Sequence, residues 1–161
     1  MSQQRILAID PGTACGWAVR HSEKDYDSGV WDLRPHRHEG GGMRFLRARK
    51  LFREAVALFK PGIVVYEEVR MHMGVDAAHI YGGIVAVITS ECEAHEPPIP
   101  YRGMHFAQVK KLATGKGNAK KDAMIAAAQA RWPGHEFEDD NEADARWIAE
   151  TAALELQEPP A

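Results

Sequence analysis

Arg5-Ile6-Leu7-Ala8-Ile9-Asp10-Pro11-Gly12-Thr13 is a short apolar run that ends in a carboxylate and then meets Pro-Gly. That pattern predicts a buried strand entering a turn. Alternation along the strand puts Ile6, Ala8 and Asp10 on one face. Ile63-Val64-Val65-Tyr66-Glu67 repeats the pattern after Pro61-Gly62 and again ends in acid. Here Ile63, Val65 and Glu67 share a face. Two buried strands that each deliver a carboxylate at their end set the reading of everything around them.

Working outward, Gly16-Trp17-Ala18-Val19 and Gly29-Val30-Trp31 read as two further strands. Their short connections predict an antiparallel meander with the first. Residues 35–42 hold Pro, His and three consecutive Gly and form a loop. Residues 43–60 predict a helix, with Phe45, Phe52, Val56 and Phe59 on one face and arginines and Lys50 on much of the remainder. A second helix is expected from about Ala77 to Ala94 on the stripe Ile80, Ile84, Val87 and Ile88. A short strand follows Pro97-Pro98-Ile99-Pro100, then helices over 105–113, 119–131 and from about Asp140 to Leu156. Three antiparallel strands followed by β-α units predict an α/β mixed sheet with helices on its faces. The length fits one domain over 1–161 with a short tail at 157–161.

Composition narrows the function classes. The longest apolar stretches are too short to span a membrane, and the polar start has no secretion-signal core, so a cytoplasmic location is expected. Cys15 and Cys92, the only cysteines, cannot form a zinc site alone and are expected as free thiols. The net charge is only −3, but residues 136–161 hold nine acids against one Arg, which leaves about +5 on the first 135. A basic body with an acidic segment suits a DNA binder that holds divalent cations, and equally an acidic solvated C-terminus.

The acidic segment is Asp139-Asp140-Asn141-Glu142-Ala143-Asp144. Asp139 and Glu142 fit a capping box that starts the last helix. Asp144, with Ile148 four residues on, should face the sheet, and Asp140 and Asn141 can share its face. Glu142 is expected to pair with Arg146 and face solvent. Should the two acid-ended strands be neighbours, Asp10 and Glu67 emerge at the same sheet edge. Glu68 competes with Glu67 for that role. Acids at the ends of buried strands destabilise unless neutralised, and Mg²⁺ neutralises them well because it takes carboxylate oxygens and keeps several waters.

Taken together these stretches resemble a known family. Ile6 to Thr13, continuing to Gly16-Trp17-Ala18, resembles the first strand and turn of RuvC-type Holliday junction resolvases of the ribonuclease H-like superfamily. Val64-Val65-Tyr66-Glu67-Glu68-Val69 resembles their central strand, whose catalytic Glu falls on Glu67. Asp140-Asn141-Glu142-Ala143-Asp144-Ala145 resembles their C-terminal acidic motif, especially in phage-like members. Gln108-Val109-Lys110 and Gly115 through Lys121 match in spacing. One position departs: many relatives have Asp where this chain has Asn141.

The resemblance implies a ribonuclease H-like five-stranded sheet, three antiparallel strands then two parallel, flanked by helices. It implies a crossover junction endodeoxyribonuclease using two Mg²⁺ ions, with Mn²⁺ able to substitute. Asp10 would bridge the ions, Glu67 and Asp144 would hold one each, and Asp140 or Asn141 would assist; a charged oxygen favours Asp140. In-line hydrolysis would leave 5′-phosphate and 3′-hydroxyl ends. Lys110, Lys111, Lys116, Lys120 and Lys121 surround a glycine-containing loop and are the expected DNA contacts; Lys121 aligns with a family lysine near the active site. Arg44, Arg47 and Arg53 are weaker phosphate candidates. A homodimer is expected through the 77–94 helix, where Gly82-Gly83 permits close approach. His72, His79, His95 and His105 show no ligand spacing. A broader flap or branched-DNA endonuclease and a catalytically inactive junction-binding module of the same fold are the competing readings.

Overall fold

A computed structural model describes residues 3–71 and 74–157. The expected tail beyond Gln157 and His72 lie outside the described residues. The elements run β1 (Ile6–Asp10), β2 (Ala14–Ser22), β3 (Asp25–Asp32), α1 (Gly42–Phe59), β4 (Ile63–Glu68), α2 (Val75–Ala94), β5 (Tyr101–His105), α3 (Phe106–Thr114), α4 (Lys121–Arg131) and α5 (Asp140–Gln157). The sheet order is β3-β2-β1-β4-β5. β1 and β3 pair antiparallel with β2, and β4 pairs parallel with β1 and β5. The expected mixed sheet is therefore present, and the two acid-ended strands lie side by side at its centre.

Strand alternation sorts the core into two layers. Ile6, Ala8, Ile63 and Val65 face α3, α4 and α5, where Val109, Met124, Ala128, Ile148 and Ala152 cover them. Leu7, Ile9 and Val64 face α1 and α2, against Phe52, Val56, Ile84 and Ile88. β1 is buried along its whole length, as a central strand covered on both faces must be.

Gly83 does permit a close approach, but within the chain: a Cβ there would come 2.2 Å from the Phe45 ring of α1. Gly82 faces open space. Cys15 and Cys92 are free, as expected, and both are buried. Among the described residues, no helix is long and apolar enough to cross a membrane.

Candidate active site

β1 and β4 run parallel with Ile9 opposite Tyr66, so Asp10 and Glu67 follow side by side at the C-terminal sheet edge. Both lie on the α5 face, in phase with Ala8 and Val65. Glu68 takes the opposite phase, shared with Tyr66, and is exposed; the geometry favours Glu67. The end of β4 is pinned by Tyr81 of α2, whose hydroxyl donates to the Glu67 carbonyl at 2.8 Å and accepts the Val69 N–H at 3.0 Å.

α5 brings the third carboxylate. Its first turn approaches β2 where Asp10 pairs with Gly16. A Cβ on Gly16 would lie 2.0 Å from the Asn141 carbonyl oxygen, so only glycine lets the helix come this close. Asp139 caps the helix by accepting the Glu142 N–H at 3.1 Å. Asp144, one turn in, is partly buried toward the sheet, and Asp140 precedes it on the same face.

The acids influence one another strongly. Asp10 is only 7% exposed. Burial, a hydrogen bond with Glu67, and the charges of Glu67, Asp144 and Asp140 hold its carboxyl well above the usual carboxylate range. Burial, then Glu67 and Asp140, push Asp144 up to about 7, against the pull of Lys110 and Lys121. Positive charge placed beside these carboxylates would relieve the repulsion among them.

The donor set fits a hard cation, since all four groups are carboxylates. Among the described residues, no three His, Cys, Asp or Glu side chains close into a ready-made cage. Mg²⁺ does not need one: it keeps several waters and is commonly held by one or two carboxylates plus substrate phosphates.

The expected basic residues do not all converge. Lys121 Nζ lies 3.1 Å from Asp140 Oδ2, and Lys110 is close enough to lower the Asp144 carboxyl. Lys116 and Lys120 are exposed beyond them. Lys111 turns the other way, lining a hollow with Leu112, Thr151 and Leu154 on the flank of the second half of α5. Arg47 and Arg53 are committed to Glu39 and Glu91, each at 2.6 Å. Asn141 is tied to Asp139 through Nδ2 at 3.2 Å.

Glu142 corrects a sequence expectation. It is not on the solvent face but 1% exposed, and its oxygens accept from Ser28, His135 and the Glu138 N–H rather than from Arg146. The physical reason is that α5 has little solvent face in its first three turns. The sheet covers one side, and α3, α4 and the 132–139 segment cover most of the rest. The sequence reading also missed Gly16 and Tyr81 as supports of the site; an isolated glycine within a strand was the available signal for the first.

No protein-family model matches the chain, and no curated protein matches it. Solved structures share its fold. Thermus thermophilus RuvC in complex with a Holliday junction substrate matches with a TM-score of 0.77 at 22% identity, covering 96% of this chain and 95% of that one. A second Thermus thermophilus RuvC structure matches at 0.75 and 21% identity, covering 95% of each chain. The yeast mitochondrial Holliday junction resolvase Ydc2 matches at 0.62 and 13% identity, covering 96% of this chain and 82% of that one. The chain thus has the ribonuclease H-like fold of these resolvases.

Proposed function

We propose that this protein is a metal-dependent endonuclease that resolves four-way DNA junctions. The observation that carries the reading is the meeting of Asp10, Glu67, Asp140 and Asp144, from three separate elements, with raised carboxyls at Asp10 and Asp144. Without a cation this arrangement is a repulsive cluster; beside a phosphodiester it is a place for hard ions.

Asp10, Glu67 and Asp144 would hold Mg²⁺, two ions per site with Mn²⁺ able to substitute, and Asp140 would assist in preference to Asn141. Such ions supply an activated water and stabilise charge on the attacking and leaving oxygens of an in-line displacement. Lys121 and Lys110 bring positive charge to the same edge and suit the phosphate that flanks the cut, while Lys116 and Lys120 extend the contact along the backbone. Tyr81 keeps the end of β4 in place, and Gly16 keeps α5 against it.

A four-way junction has approximate two-fold symmetry, and paired cuts require two active sites. A two-fold homodimer meets that requirement. The outward stripe of α2, with Val75, His79, Gly82 and Ala86 exposed or open, suits the interface.

Cleavage mapped on all strands of a synthetic mobile junction, a flap and a plain duplex tests the proposal. Paired symmetrical nicks in the junction alone are expected. Equal cutting of the flap makes the enzyme a broader branched-DNA nuclease. Tight junction binding with no cutting in Mg²⁺ or Mn²⁺ makes it an inactive binding module.

A further inference from the structure

A closed ring of side chains sits on the flank of α5 turned away from the acids. Ser28 of β3 donates to Glu142 Oε1 at 2.7 Å, and His135 Nε2 reaches the same oxygen at 2.6 Å. Arg146 Nε donates to Ser28 Oγ at 2.6 Å, and Arg146 Nη2 lies 3.2 Å from His135 Nδ1. Arg146 Nη2 also lies 3.3 Å from His135 Nε2, so the guanidinium edge spans the imidazole and closes the ring. The second Glu142 oxygen takes the Glu138 N–H at 2.6 Å. The Arg146 guanidinium is also enclosed by the rings of Tyr26, Trp132 and Phe137.

Burying a Glu and an Arg together stabilises a fold little compared with apolar residues of the same volume. Such groups earn their place best by specifying geometry. On a helix each residue turns about 100°, so Glu142 and Asp144 project to opposite sides of α5, while Asp140 and Asp144 lie within about 40° of each other. The Gly16–Asn141 contact sets how near α5 comes to the sheet but leaves its rotation open. Ser28 and His135 grip the helix on the side opposite the carboxylates and fix that rotation.

We propose that Ser28, His135, Glu142 and Arg146 form a positioning device that sets the rotation of α5 and so holds Asp140 and Asp144 beside Asp10 and Glu67. The inference rests on the nuclease reading for what those acids do. None of the ring residues touches the reacting atoms.

The test compares Ser28→Ala, which removes the ring's link between β3 and α5 and leaves the Tyr26–Glu150 bond in place, with Ser28→Thr, which keeps the hydroxyl. Val87→Ala, in the opposite core layer, serves as a control for lost stability. Two readouts are taken: Mn²⁺ affinity of the DNA-free protein by electron spin resonance, and kcat and KM on a four-way junction. Ser28→Ala is expected to lose about tenfold or more in Mn²⁺ affinity and in kcat with KM within about twofold, Ser28→Thr to recover most of both, and Val87→Ala to stay within about twofold throughout. Native Mn²⁺ affinity in Ser28→Ala, or equal losses in Val87→Ala, overturns the inference. If Ser28→Ala does not fold, Arg146→Lys, which keeps the charge and loses the fork, carries the same comparison. A wild-type protein that binds Mn²⁺ but cuts no branched DNA removes the nuclease reading and leaves the Mn²⁺ comparison to decide the ring. A wild type that binds no Mn²⁺ overturns both.

Discussion

Gly16 of β2 and Asn141 of α5 meet backbone to backbone, one residue pair away from the first carboxylate: Gly16 is the ladder partner of Asp10, and a Cβ on it would lie 2.0 Å from the Asn141 oxygen. Backbone cannot move aside as a flexible side chain can. Gly16→Ala therefore displaces the start of α5, at a stability loss of about 1–3 kcal/mol. Chemical denaturation measures that loss, and cleavage assays on the folded fraction should show activity falling by more than unfolding explains.

The Lys121–Asp140 pair separates stability from function. Lys121 is 67% exposed in its side chain, and an exposed ion pair contributes about 0–1 kcal/mol. Lys121→Met should leave the thermal midpoint nearly unchanged, yet weaken cleavage and flatten the salt dependence of junction binding. A variant with wild-type cleavage and an unchanged salt slope removes Lys121 from the DNA contact.

The acids give the protein a pH dependence whose sign is fixed. Asp144 ionises at about 7 in the folded chain against 3.8 for the ordinary group, and Asp10 is raised as well. The folded state then binds more protons than the unfolded state between those limits, so stability falls as pH rises from about 4 to about 7. Glu142 and Glu150 are lowered. Burial alone would raise both, but hydrogen bonds from Glu138 N–H, Ser28 and His135, and from Tyr26 and Arg20, outweigh it. Their contribution is complete above the ordinary Glu range near about 4.3 and is lost only in stronger acid, so the site acids govern the range above. Melting in chelator should show a midpoint that drops between about pH 4 and about pH 7, with Mg²⁺ reducing the drop and releasing protons as it binds. A flat profile in chelator contradicts the raised carboxyls.

Much of this was legible in the chain. Ile6-Leu7-Ala8-Ile9-Asp10 and Ile63-Val64-Val65-Tyr66-Glu67 declare buried strands by an apolar run that ends in acid, the two-residue period gives the face of each carboxylate, and Asp139 with Glu142 marks the start of α5. What alternation does not state is adjacency: that β1 and β4 are neighbours follows from the whole topology. Glu142 was misread because the (i, i+4) rule for Arg146 assumes a helix with a solvent side, whereas α5 is covered nearly all round. Lys111 and Lys110 adjoin in sequence yet face different ways, since successive helix residues turn about 100° apart.

A second buried pair shows what removing one partner does. Arg20 and Glu150 are 2% and 8% exposed and lie 3.1 Å apart, with Tyr26 and Arg131 also bonded to Glu150. Glu150→Ala strands a buried guanidinium, at about 3–5 kcal/mol. Denaturant titration checks this; a loss under about 1 kcal/mol means the guanidinium finds water.

The most direct measurement takes Asp10→Asn and wild type side by side, scoring junction binding and Mg²⁺-dependent cleavage in the same preparations. Asparagine keeps the shape of the buried residue and removes its charge. Native-like binding with cleavage abolished is the expected result. An Asp10→Asn protein that still cuts the junction at the wild-type rate contradicts the assignment of this carboxylate cluster as the catalytic centre.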